Sequence, residues 1–533
     1  MAIGRAQRLP LTLVNPTVHS ASMQSVPFGG KILLLGFGGV GRCTLPLLLK
    51  HLDVSPDRIT VMDFADRRQE LQGFLERGVR FVCERIARET MGQQLAAHVG
   101  PGDMIIDLAW NIDVCEILAW CHEHGVLYIN TSVEIWDPYA DMESATPQSR
   151  TLYVRHMAVR RMMSGWKEKG PTAVLEHGAN PGLVSHFTKL ALRDIALAAL
   201  DSDVLSEDAA RSVERHLRST SWPELAQALS VKTIHISEID TQETHIPFDP
   251  KIFSNTWSVD GFHEEGTSPA ELGWGTHEAA LKQGICEHAG GPGNQICLER
   301  FGIDTYVKSR VPSGEIAAMV VRHGEAFTIS DFLTVRDGAE KAIYRPTVHY
   351  AYCPCPDAIA SLKALRRRKY RMQEQTRIMG DDILPGGRDE LGVLLMGHPL
   401  QSWWTGTILT IDEARELVPG QNATTLQVAA AVLAGALYMI RNPRLGVLVP
   451  DQLPYQEILD IASPYLGVVA SQPIAWAPKK NPTWQFSDFH MPRATPAALL
   501  RAHEEERRKK AADADPAGAV GTLQTQFEPV VVG

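Results

Sequence analysis

The chain of 533 residues is 44% hydrophobic and 21% charged, a globular composition in a chain too long for one core, so two or three domains are expected. Its 62 acidic and 52 basic residues give a formal net charge of −10 without a long Lys/Arg run in the globular part, which argues against nucleic acid as a partner. Eight cysteines without a CxxC pair argue for reduced thiols and against a metal site, and neither residues 1–28 nor the apolar run 426–440 reads as a signal peptide or a bilayer span, so a cytoplasmic protein is expected.

In chain order, residues 31–36 form a short apolar run closed by glycine, which predicts a buried parallel strand. A helix over 41–51 and a strand over 58–63 follow. Helices near 67–77, 91–99 and 114–124 then alternate with strands near 79–83, 104–108 and 127–131. This alternation predicts an α/β protein with a Rossmann-type, doubly wound parallel sheet. After Pro171 the loops lengthen, and strand-like runs at 231–236, 316–322 and 342–349 predict a second, α+β unit for substrate binding and dimerisation. An apolar helix over 425–441, capped by Asn422, is expected to pack back on the first unit. From residue 502 the sequence turns charged, then small and polar, which predicts a solvated helix fraying into a disordered tail. The expected division is an N-terminal extension (1–28), a dinucleotide-binding domain (29–170), an α+β domain (171–420), a C-terminal helical region (421–501) and the tail (502–533).

The strongest motif is a GxGxxG placed between strand and helix, made by Gly36, Gly38 and Gly41 with Gly39 and Val40 inside it. Gly36 permits the tight turn, Gly38 lets the backbone approach a pyrophosphate, and Gly41 allows close helix–strand contact. The helix N-terminus adds free N–H groups and a positive dipole. Asp63 ends the next strand, where its carboxylate is placed to accept hydrogen bonds from ribose hydroxyls and to repel a 2′-phosphate, so NAD is expected over NADP. Arg67 and Arg68, just beyond it, pull the other way.

Open α/β sheets bind ligands beyond strand C-termini, which singles out Thr131 and Glu134 after the strand at 127–131. The turn-rich string at 177–182 brings Ala179, Asn180 and Pro181 toward the same place as candidate cofactor contacts. A later block places Glu238, Asp240, Asp260, Glu264 and Glu265 around Trp257. Acids beside an aromatic face suit an alkyl ammonium, since cation–π contact contributes roughly 1–2 kcal/mol when desolvated. A tryptophan by itself reads equally as a core residue.

Segments 36–41, 128–136, 178–184, 255–262, 269–278, 344–352, 389–395 and 421–435 resemble bacterial homospermidine synthases of the saccharopine dehydrogenase-like family, and the resemblance runs from about residue 31 to 486. It implies a homodimer, NAD held tightly as a prosthetic group, and condensation of two putrescine molecules into homospermidine with loss of ammonia. The implied route is hydride abstraction, imine exchange and re-reduction, with no net redox. Matching motifs imply Trp257 as the cation–π residue, Glu238 and Glu265 as ammonium ligands, and Glu134, Asn180 and His323 as the rest of the wall, with His323 suited to moving protons near neutral pH. Asn111 stands where the family has an acidic pocket residue. A saccharopine or carboxynorspermidine-type NAD(P) dehydrogenase is the alternative; it would want a basic pocket for a carboxylate, and the acid-and-tryptophan cluster argues against one. A non-catalytic NAD-binding protein would bind the dinucleotide without turnover.

Overall fold

The computed structural model describes residues 25–140, 145–279 and 284–514. Most of the expected N-terminal extension and the end of the expected tail lie outside them.

The first sheet has seven parallel strands. It starts at its centre with Ile32–Leu35, every residue of which is buried. The chain moves outward through Ile59–Asp63 to Arg80–Cys83, then returns to the other side of the first strand with Met104–Asp107 and Leu127–Asn130. That reversal opens a crevice between the C-terminal ends of Ile32–Leu35 and Met104–Asp107, the place where such sheets take ligands. Two short strands complete the sheet: Ala173–Val174, which the sequence reading put in the second unit, and Val447–Leu448 from the C-terminal region. Residues 172–175 read as strand-like in the sequence, but so short a run does not say which sheet it joins, and the fold reveals that.

The second sheet is mixed and ten-stranded. Its strand Thr233–Asp240 lies between Thr347–Cys353, parallel to it, and Arg388–His398, antiparallel. The sequence pattern suggests a strand stopping near residue 236, because acids then break the apolar run. In the structure it continues fully buried to Asp240. Alternate residues share a face, so Ile234 and Ile236 continue the core while Glu238 and Asp240 carry that same face into the site. The α/β class, with a doubly wound sheet and a second α+β unit, is thus observed.

Helix Ala423–Arg441 lies between the two sheets, touching helix Gly39–His51 and strand Leu127–Asn130 on one side and strands Arg388–His398 and Gln401–Thr410 on the other. It is long and apolar enough to cross a membrane, yet 89% of that stretch is buried within the fold, so its all-round apolar surface is that of a core helix. Asn422 caps it as the sequence suggests: Oδ1 accepts from the Thr425 N–H at 2.8 Å. Its Nδ2 also donates to the carbonyls of Thr256 (2.7 Å) and Met379 (2.8 Å). Asn422→Ala removes a cap and leaves two buried carbonyls short of a donor. An expected loss of about 2–4 kcal/mol in urea unfolding follows; a loss below about 1 kcal/mol would show that water replaces the amide.

The C-terminal region is less separate than expected. Strand Val468–Pro473 joins the second sheet, and helix Pro496–Ala514 is docked, not solvated, at its start. His503 is buried, with Nε2 3.0 Å from the Pro354 carbonyl oxygen and 3.6 Å from Cys353 Sγ. One apolar-faced turn inside a charged sequence hid this contact.

Candidate active site

The glycine loop has the geometry its motif requires. Gly36 has φ +85°, and a Cβ there would sit 2.8 Å from the Leu108 carbonyl oxygen. A Cβ on Gly41 would strike the Gly36 carbonyl oxygen, whereas one on Gly38 meets nothing within 4 Å. The open space lies at the N-terminus of helix Gly39–His51, which has no side-chain cap and no acid in its first turn. Unpaired N–H groups and a free volume are what a pyrophosphate needs, so the residues fit a dinucleotide. Asp63 is buried and braces the loop, Oδ2 accepting from the Phe37 N–H at 2.7 Å and Oδ1 from the Ala65 N–H at 2.8 Å. Each oxygen keeps a second lone pair for a ribose hydroxyl. Arg67 is paired with Asp63 (3.7 Å) and Glu70 (3.4 Å), and Arg68 with Asp66 (2.8 Å).

From this loop a cleft runs between the two sheets. Val40, Thr131, Glu134, Ala179, Asn180, Pro181, Glu238, Trp257, Glu265 and His323 all line it. Asn111 does not: its backbone is left-handed (φ 64°), and it is the preceding Trp110 that reaches the wall.

Glu238 comes up from its strand with Oε2 receiving two donors, the Asn180 amide at 2.5 Å and the Tyr350 hydroxyl at 2.6 Å. Burial raises its pKa to about 7, against the Tyr350 hydrogen bond. Asp240, two residues on, is raised by burial to about 6, and Asp389 opposite it is pushed well up by burial and by Glu238. Glu265 hangs from helix Val259–Gly266, whose start Ser258 caps. Its Oε2 is buried without a hydrogen-bond partner among the described residues, and burial raises the carboxyl to about 7. Glu134 accepts from the Ser132 hydroxyl at 2.7 Å; burial and the charge of Glu264 raise it.

Behind this acidic wall, Glu264 receives both Arg155 and Arg322 and is held down at about 2, their charges overcoming its burial. The two guanidiniums thus share one carboxylate, and Arg155 also pairs with Glu134 at 3.8 Å. His323 sits at the start of helix Gly324–Phe332 with Nδ1 3.0 Å from Glu325 Oε2. Burial opposes its charge, but the Glu325 bond and the charges of Glu325, Glu265 and Glu176 raise it to about 9. Glu325 also accepts from the Gly182 N–H at 2.5 Å, tying the histidine to the loop that carries Asn180.

Trp257 is half-buried, its ring at the cleft and its indole N–H donating to the Tyr352 hydroxyl at 3.0 Å. Sequence reasoning missed Trp110, Tyr350 and Glu325. Tyr350 lay in a string noticed only for its resemblance, and nothing in spacing said which of its tyrosines turns toward the acids.

A Rossmann crevice facing an acid-lined cleft defines a dinucleotide-dependent enzyme. The saccharopine dehydrogenase NADP binding domain family matches residues 32–174, and the saccharopine dehydrogenase C-terminal domain family matches residues 178–474. The homospermidine synthase of Blastochloris viridis is 40% identical over 456 residues, 84% of this chain and 92% of that protein. That of Mesorhizobium japonicum is 39% identical over 455 residues, 84% and 91% respectively. The crystal structure of the Legionella pneumophila homospermidine synthase in complex with NAD superposes with a TM-score of 0.78 at 35% identity, over 88% of this chain and 100% of that one. The chain belongs to the homospermidine synthase family.

Proposed function

We propose that the protein is an NAD-dependent homospermidine synthase that condenses two putrescine molecules and releases ammonia. The observation that carries the reading is the meeting of Glu134, Glu238, Glu265 and the Trp257 ring in one cleft, with the nearby guanidiniums of Arg155 and Arg322 both turned to Glu264 and Arg155 also paired with Glu134 at 3.8 Å. Such a wall attracts a diammonium chain and repels a carboxylate, which is why the dehydrogenase alternative is not favoured.

Gly36, Gly38 and Gly41 with Asp63 would hold NAD, which when bound would supply the hydride acceptor and donor. The NADP of the family description is disfavoured by Asp63 and by the pairing of Arg67 and Arg68 with acids. Glu238 and Glu265 hold ammonium groups, and Trp257 lays its face along cationic carbon–nitrogen groups. His323, charged near neutral pH with Nδ1 committed to Glu325, passes a proton to the departing amine. Val40, Leu108, Ala109 and Val428 form the apolar part of the wall and keep water from a reactive imine. The same reading places the protein in the cytoplasm as a homodimer, which light scattering checks.

The deciding experiment incubates the protein with putrescine and substoichiometric NAD. Homospermidine and ammonia in equal amounts are expected; NADH accumulating in step with substrate, without homospermidine, would overturn the reading. Acidity gives a second check. Glu238 and Glu265, raised to about 7 by burial, lose their charge as pH falls through that value. KM for putrescine is therefore expected to rise roughly tenfold or more from about pH 8 to about pH 6. A flat KM across that range would remove both from ammonium binding.

A further inference from the structure

We propose that Tyr350 is the positioning residue that aims the Glu238 carboxylate and keeps it in its charged form. Its hydroxyl and the Asn180 amide both donate to Oε2, at 2.6 and 2.5 Å. Two donors on one oxygen fix the carboxyl plane and leave Oε1 for the ammonium of a substrate, so the inference rests on Glu238 being an ammonium ligand.

The placement follows from register. In the parallel pair, Tyr352 lies opposite Glu238, and Tyr350, two residues earlier, shares its face. Tyr350 therefore reaches Glu238 diagonally from the neighbouring strand while its ring packs on His323 with centroids 4.8 Å apart. Tyr350 and Tyr352 stack at 5.2 Å and 13°, and Tyr352 receives the Trp257 indole N–H. One pair of tyrosines thus touches the carboxylate, the histidine and the tryptophan proposed to handle the substrate. The loop holding Asn180 is fixed separately, through Glu325 and the Gly182 N–H.

Hydrogen bonding to a charged carboxylate favours the charged form, whereas burial and like charges oppose it. The groups facing Glu238 are Asp240 on its own strand, Asp389 on the antiparallel neighbour, Tyr350, Tyr352 and Cys353 on the parallel neighbour, and His323 from the helix start. Burial and the two acids push toward the neutral acid. Tyr350, Asn180 and His323 push toward the carboxylate, and Tyr350 is the largest of these three. Without its hydroxyl, Glu238 stays protonated to a higher pH.

The test is Tyr350→Phe in the NAD-loaded protein, with putrescine binding followed by calorimetry from about pH 6 to about pH 9. The pH midpoint of binding is expected to move up by about one unit, and affinity near pH 7 to fall roughly fivefold, recovering at high pH. Retained NAD and the thermal midpoint should match wild type. A second variant carries 3-fluorotyrosine at 350, a stronger donor of nearly the same shape, and should move the midpoint down; it decides alone if the phenylalanine variant fails to fold. An unmoved midpoint in a folded variant overturns the proposal. Failure of the wild-type protein to bind putrescine would instead defeat the proposed function. The Tyr350 assignment would then stand or fall on a carboxyl-13C NMR titration of Glu238 in wild type and variant.

Discussion

Glu238→Gln is expected to lower kcat/KM for putrescine roughly 100- to 1,000-fold while NAD stays bound. The amide preserves shape, but with its oxygen kept toward Tyr350 and Asn180 its NH2 group faces the cleft, where an ammonium would meet a donor. Removing one partner of a desolvated charge pair costs about 2–5 kcal/mol, and the expected fall lies within that span. Stability should hold, because the change takes one negative charge from a site that also contains buried Asp240 and Asp389. Steady-state rates, cofactor content and thermal melting separate these effects. A fall of less than about fivefold would make Glu238 a structural acid.

Gly41→Val is expected to yield protein with no retained NAD and activity below about 1% of wild type. The added carbon meets the Gly36 carbonyl oxygen, a backbone atom that cannot rotate away, so helix Gly39–His51 must back off the strand end and the phosphate cradle opens. Gly38→Ala is the companion measurement. Its Cβ meets no protein atom, so melting without NAD should be unchanged, while NAD retention falls because the methyl group projects into the cradle. Equal melting losses in the two variants would contradict this assignment of the glycines.

The glycine loop and the Asn422 cap were legible in the sequence because each is a local rule: a dihedral, a close approach, an orphan N–H at a helix end. The acid-and-tryptophan cluster was legible as composition, although Glu238 looked like a residue after a strand and proved to be inside one. Asp63 was read as a ribose ligand, and the backbone bonds by which it also braces the loop left no mark in spacing. Residues joined across long stretches of chain were out of reach. Arg155 and Glu264 are 109 residues apart, Tyr350 and Glu238 112, and nothing local distinguishes those arginines or tyrosines from others. Asn111 shows the converse: resemblance named the position, and a left-handed backbone put its neighbour at the wall instead.

Helix Ala423–Arg441 bears on how long the cofactor stays. In the proposed reaction the hydride is returned to the same substrate chain, which requires the residence time of the nucleotide to outlast a whole turnover. Hinged two-domain enzymes release nucleotide when their halves swing apart about a few loop residues. Here such a swing would have to strip a buried helix from one of two sheets, while strands Ala173–Val174 and Val447–Leu448 sew later parts of the chain into the first sheet. Exposing that much apolar surface costs far more than thermal energy supplies. With that swing opposed, slow release of the dinucleotide is the expected result, checked by the NAD that stays with the protein through dialysis.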